Sequence, residues 1–338
     1  MPAPGERDPP WLRAVAVPAM LAMGAMVAVQ SQINGELATR LGGGATGGVV
    51  AALVSFGTGF ALLCAVVTAS PSARRGMGAV RAAVRTGGLH WWQLVGGTAG
   101  AFLVVSQGLT VTTIGVALFT VAVVGGQTAS GLAVDHHGFG PAGLQALSLL
   151  RVLGAATTVG AVAVSASDRL GGSDQLSAAA LALALFPLAA GAGMAWQQAV
   201  NGRVSIAGGP WAAAWVNFAV GTGWLVLAAA VTVPVAGLPS SLPTTWWLYL
   251  GGPIGVVFIT AAAVLVRVHG VLILGLATVC GQVGVALVVD QVVGTDGLGA
   301  LTVTGAVVTL AGVLLAGLGT GRGARWLRSR RSRSAPVA

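Results

Sequence analysis

Lysine is missing altogether from this chain: its 17 basic residues are all arginines, and only 8 residues are acidic. Charged residues make up 7% of the 338 positions, where a soluble protein carries roughly a quarter. So little charge does not cover a water-facing surface, and lipid is the expected solvent. The chain also lacks a Gly-Lys-Ser/Thr phosphate loop, an HExxH pair and any clustered metal set, which argues against ATP-driven transport by this chain alone and leaves no cofactor to expect. Its two cysteines, Cys64 and Cys280, lie in apolar runs without metal-ligand spacing; they read as inert buried thiols rather than a disulfide framework.

Hydrophobic residues reach 55%, and the 53 glycines follow no three-residue period, which excludes collagen, while the long Val/Leu/Ala runs are too apolar for disorder. In a membrane, glycine lets helices approach closely. The apolar text is also repeated. GQTASGLAVD (Gly126–Asp135) returns as GQVGVALVVD (Gly281–Asp290), and WWQLVGGTAG (Trp91–Gly100) as WWLYLGGPIG (Trp246–Gly255), both at an offset of 155 residues. Two related halves are the arrangement from which transporters build alternating pathways.

A helix needs about 20 apolar residues to cross the hydrocarbon core, and ten spans are expected: 14–34, 46–69, 91–109, 112–134, 143–165, 177–199, 210–233, 246–265, 268–289 and 299–319. The apolar runs do not alternate as barrel strands would. The fold class is therefore an all-α membrane protein of ten helices in two five-helix repeats. Expected divisions are a cytoplasmic N-terminus at 1–13, a first repeat at 14–165, a linker at 166–176, a second repeat at 177–320 and a basic tail at 321–338. With the N-terminus inside, 14 arginines fall on the cytoplasmic side and 2, Arg40 and Arg169, outside, so both ends are expected in the cytoplasm. Five spans is an odd number, which makes the second repeat inverted. The arginines lie in short loops and the tail rather than in a folded patch, so no nucleic-acid partner is expected. The tail is read as a cytoplasmic anchor in contact with membrane lipids.

The candidate pathway residues are polar groups in these spans. Near the ends of the first and sixth spans, Gln30 matches Gln197 and Asn34 matches Asn201, with Gln32 and Gln198 as further amides beside them. Each Asn precedes a glycine, so a helix-ending role competes with ligand contact; for the glutamines, interhelical hydrogen bonding competes with lining a pathway. Ser55-Phe56 and Asn217-Phe218 are matched pairs, each three residues before a glycine, and place a hydrogen-bonding group beside an aromatic wall that suits an organic cation or amphiphile. Gln127 and Gln282 each precede an aspartate, Asp135 and Asp290, by eight residues. Those two carboxylates read as the ends of two related gates, against the plainer reading of acids wetted at an interface. His136 and His137 adjoin Asp135 and would bring a titration near neutral pH; the second half has no matching histidines. Arg151 falls inside the fifth span, where it either snorkels or serves a gate or an anionic group. No span carries a central Asp or Glu, which argues against a proton-exchanging carboxylate.

The segments VQSQINGEL, SFGTG, WWQLVGGTAG, TVTTIGVA and GQTASGLAVD resemble the bacterial YdcZ-like family, formerly domain of unknown function 606, over about residues 14–320. That family belongs to the drug/metabolite transporter superfamily, with small multidrug-resistance exporters and EamA transporters as relatives. The resemblance implies a fused ten-helix secondary transporter of the inner membrane. The first-helix carboxylate of the small multidrug-resistance exporters has no counterpart here; Gln30, Gln32 and Asn34 stand instead. The expected activity is export of a small metabolite or drug-like organic solute by alternating access, without enzymatic chemistry. Coupling to protons or another ion is left open, and fusion of the repeats fits a monomer. A channel-like facilitator, a lipid-handling protein and a non-transporting scaffold are the alternatives.

Overall fold

The computed structural model describes residues 10–170, 178–237 and 241–293, with Thr304, Val307, Val308, Ala311, Gly312 and Leu315 beyond them. Residues 171–176 of the expected linker, most of the tenth span and the arginine tail lie outside the described residues, as do the side chains of Gln32 and Asp290. Nine α-helices and two short 3-10 helices are described: α1 (Pro10–Arg40), α2 (Gly44–Ala69), α3 (Pro71–Arg85), a 3-10 turn (Trp91–Leu94), α4 (Gly97–His136), α5 (Leu149–Leu170), α6 (Ala178–Gly208), α7 (Pro210–Ala236), a second 3-10 turn (Trp246–Tyr249), α8 (Gly251–His269) and α9 (Val271–Val293). Among the described residues, four segments are long and apolar enough to cross a membrane: Val15–Arg40, Thr46–Ala69, Pro210–Val235 and Trp246–His269.

Several expected boundaries change. The first and sixth helices run on to Arg40 and Gly208, so Asn34 and Asn201 lie inside helices and do not end them; an intrahelical Asn-Gly costs propensity that packing must offset. The fifth helix starts at Leu149, six residues later than expected, because Gly143 adopts φ 70° and a turn precedes it. The connection after α2 is itself a helix, α3. Pro71 fits its first turn, and the Ser70 hydroxyl accepts the Ala73 N–H at 3.3 Å, the usual chemistry of a helix start.

Helical bonding continues through all 40 residues of α4, where two spans are expected. The helix cannot be straight. Gly100 N–H donates to Gln197 Oε1 at 2.9 Å and Ser130 Oγ to the Ala192 carbonyl at 3.0 Å. Those partners are about 7.5 Å apart along α6, whereas a straight helix would separate Gly100 from Ser130 by about 45 Å. The chain therefore turns back between them, and both legs of α4 lie on α6.

The two halves interlock through glycine crossings. α1 meets α9 where Gly24 faces the Thr278 carbonyl and Gly281 faces the Leu21 carbonyl; α6 meets α4 where Gly191 faces the Val123 carbonyl and Gly126 the Leu188 carbonyl. At each of these four positions an added Cβ would collide with the facing carbonyl oxygen. The correspondence is complete, since the offset is 167 residues for α1 to α6 and 155 for α4 to α9. Small residues allow this backbone approach in lipid, where helix association depends on packing rather than on expelling water. Gly312 lies against Gly154 and Thr158 of α5.

Candidate functional site

Each Trp-Trp repeat forms a 3-10 turn that breaks into an α-helix at a Gly-Gly pair, Gly96-Gly97 and Gly251-Gly252. Broken helices place backbone polar groups within a membrane, where side chains or substrates must satisfy them. At the start of α8, Gln30 Nε2 donates to the Gly251 carbonyl at 2.8 Å. An added Cβ on Gly251 would collide with Asn34 Oδ1 and lie 2.9 Å from Ser55 Oγ. At the start of α4, Gln197 accepts the Gly100 N–H, and a Cβ on Gly96 would lie 2.8 Å from Asn201 Oδ1. Asn201 Nδ2 donates to Asn217 Oδ1 at 2.9 Å. Two related polar clusters therefore form: Gln30, Asn34 and Ser55 at one broken helix, and Gln197, Asn201 and Asn217 at the other.

Between them the two aromatic candidates meet. Phe56 and Phe218 have ring centroids 5.2 Å apart, tilted by 39°. Each ring also lies over the other half's glycine, Phe218 against Gly59 and Phe56 against Gly221, where a Cβ would meet the Phe56 ring at 2.5 Å. The glycines following SF and NF thus make room for the opposite phenylalanine. Phe56 and Phe218 further face Gly100 and Gly255, their ring atoms 3.3 Å and 3.2 Å from a Cβ there, which joins the pair to both polar clusters.

Some of these amides retain unused hydrogen-bonding capacity. Gln198 is 2% exposed, and neither its Nε2 nor its Oε1 has a protein partner; buried Asn34 Oδ1 is likewise without one. Such groups are costly unless another polar molecule meets them. Gln127 packs on Gly275, its Nε2 3.2 Å from a Cβ there, and Gln282 is half-buried on α9; neither is joined to the Phe56–Phe218 pair by a recorded contact.

The gating candidates Asp135 and Arg151 come together. Arg151 is the third residue of α5 rather than deep in a span, and its Nη2 lies 2.5 Å from Asp135 Oδ2, with both side chains 1% exposed. Its Nη1 also donates to the Ala146 carbonyl at 3.3 Å. Asp135 accepts the Val271 N–H at 2.8 Å and the Leu272 N–H at 3.2 Å. Its carboxylate therefore serves the first turn of α9, where Gly270 (φ 86°) separates that helix from α8. An acid wetted at an interface is not what is found: Asp135 is buried by three helices. His136 and His137 are exposed and take no part in this junction; the His137 ring instead lies 2.8 Å from the Ala133 carbonyl. Sequence reasoning missed the Gly-Gly breaks as partners of the amides, although the repeated GG was the visible signal. It also missed Gly270, whose effect depends on Asp135 from 135 residues away.

A duplicated helical membrane protein with broken helices and a buried polar centre belongs to the transporter class. The chain belongs to the family described as "Putative inner membrane exporter, YdcZ", whose model matches it twice, over residues 15–164 and 182–315. It is accordingly an inner membrane protein with a role in transport. Among solved structures, the crystal structure of a protein is similar in fold, with 18% identity, a TM-score of 0.64, and coverage of 92% of this chain and 98% of that one. No curated protein matches.

Proposed function

We propose that this protein exports a small, uncharged or weakly amphiphilic organic solute by alternating access across ten spans in two inverted five-helix repeats, with both termini cytoplasmic. The observation that carries the reading is the Phe56–Phe218 contact, flanked by the Gln30/Asn34/Ser55 and Gln197/Asn201/Asn217 clusters. The symmetric crossings and the reversal within α4 support the inverted count, and the arginine distribution supports the orientation. Amides and hydroxyls bind by hydrogen bonds without a fixed charge, and neither polar cluster contains a carboxylate for proton exchange. The paired rings separate the two clusters; rocking of one half against the other exposes each cluster in turn. The Asp135–Arg151 junction holds α4, α5 and α9 together at the cytoplasmic end and acts as a latch on that side.

A thermal-stability screen of the purified protein against metabolites and organic cations, followed by counterflow of the hits in proteoliposomes, tests this reading. Saturable counterflow is expected, and its absence beside rapid non-saturable flux would show a pore. Phe56→Ala and Phe218→Ala are each expected to raise leak and reduce counterflow. Wild-type flux in both variants would remove the ring pair from the pathway.

A further inference from the structure

The short helix α3 packs on α6 and α7 and on its chain neighbour α2. Its apolar side is buried through Ala73, Gly76 and Val80, and Val80 joins Val204, Ala212 and Ala263 in one cluster. Gly76 and Gly208 approach so closely that a Cβ on Gly208 would lie 2.5 Å from the Gly76 carbonyl. This fixes α3 against the end of α6 and the start of α7. Arg74, Arg75, Arg81 and Arg85 are all exposed. At 100° per residue, Arg75, Arg81 and Arg85 spread over about 120° of the helix surface, on the side away from Ala73, Gly76 and Val80. No carboxylate lies on α3, and among the described residues the ion pairs, Arg40–Glu36 and Arg151–Asp135, do not include these four arginines. Arg74 donates to the Thr68 carbonyl.

The depth of α3 is marked independently. Trp91, which follows it in the chain, and Trp211, beside its contact with Ala212, are 72% and 40% exposed, the position aromatic side chains take at headgroup level. The opposite broken helix carries the same aromatics, Trp246 and Trp247 at 72% and 37% exposure, but different charge. There the residues before it read LPSSLPTT, and Arg40, which bonds Thr245 at 2.9 Å, is neutralised by Glu36. The duplicated scaffold therefore carries an uncompensated basic helix at one headgroup level alone among the described residues.

We infer that α3 is a binding site for anionic phospholipid headgroups, with Arg75, Arg81 and Arg85 meeting lipid phosphates at the surface marked by Trp91 and Trp211. Guanidinium groups pair with phosphate oxygens in a bidentate manner, and a polybasic segment beside a bilayer gains from anionic surface charge. Because α3 belongs to the first half and rests on α6 and α7 of the second, the bound lipid braces the junction of the halves.

The test uses the full chain in neutral detergent, with thermal unfolding titrated by phosphatidylglycerol or phosphatidylcholine. Phosphatidylglycerol is expected to raise the melting temperature, and phosphatidylcholine to have little effect. The triple variant Arg75→Gln/Arg81→Gln/Arg85→Gln is expected to need on the order of 100-fold more phosphatidylglycerol for the same rise. The corresponding Arg→Lys variant should keep most of the response because it keeps the charge. Replacing the tail residues Arg322, Arg325, Arg328, Arg330, Arg331 and Arg333 by glutamine should leave it intact. An unchanged titration in the triple Gln variant, or loss of the response in the tail variant alone, overturns the inference. An equal rise with inorganic phosphate also overturns it, by showing a soluble-anion site.

Discussion

Asp135→Ala is expected to destabilise the protein by about 3–5 kcal/mol, because it leaves a buried guanidinium without its counter-charge. The cost has two structural sources. Arg151 is 1% exposed and has its carboxylate partner at 2.5 Å, so removing that partner strands a charge. The same carboxylate accepts the Val271 and Leu272 N–H groups, and an uncapped helix start costs typically about 1 kcal/mol. Arg151→Met should also be strongly destabilising, since Asp135 is then left charged and buried. The double variant Asp135→Asn/Arg151→Met removes both charges and keeps an acceptor for α9, so it should recover more than half of the loss. Unfolding of Asp135→Asn, Arg151→Met and the double variant in detergent measures the coupling as a double-mutant cycle. A double variant as unstable as the sum of the two single losses would refute the ion-pair account.

Gly126→Ala and Gly191→Ala are expected to lower stability by at least about 1–3 kcal/mol each, the usual range for overpacking. Their new methyl groups would strike the Leu188 and Val123 carbonyl oxygens, which cannot swing aside as a side chain can. Gly24→Ala and Gly281→Ala should behave alike at the α1–α9 crossing. Gly57→Ala and Gly223→Ala are the controls, because an added Cβ at either meets nothing within 4 Å; in a helix interior they should be neutral or gain up to about 1 kcal/mol. Melting temperature and accumulation in the membrane fraction read the difference. Equal behaviour of control and crossing glycines would contradict the interlocked packing.

Glycine shows why part of the design was legible and part was not. The repeated motifs and the apolar runs identified a helical membrane protein of two halves, because lipid requires backbone polar groups to be satisfied within helices or closed barrels. Matched residues such as Phe56 and Phe218 were visible as pairs. Their meeting was not, since an offset in sequence does not reveal that Gly59 and Gly221 make room for the opposite ring. Span ends were also hard to read: the same apolar composition continues through Asn34 and Asn201, and α3 was hidden in what looked like an arginine-rich loop.

The placement of charge divides in the same way. Sequence alone determined that charge is scarce, that it is arginine-rich and that the halves differ in it, because these properties depend on composition and order. Only the tertiary structure decided that Asp135 and Arg151 neutralise one another at the start of α9, whereas Arg75, Arg81 and Arg85 lie exposed on α3. Electrostatic pairing acts over a few ångströms in space. Residues 135 and 151 are brought within that distance by the turn between α4 and α5, and Val271 by the packing of the second half on the first.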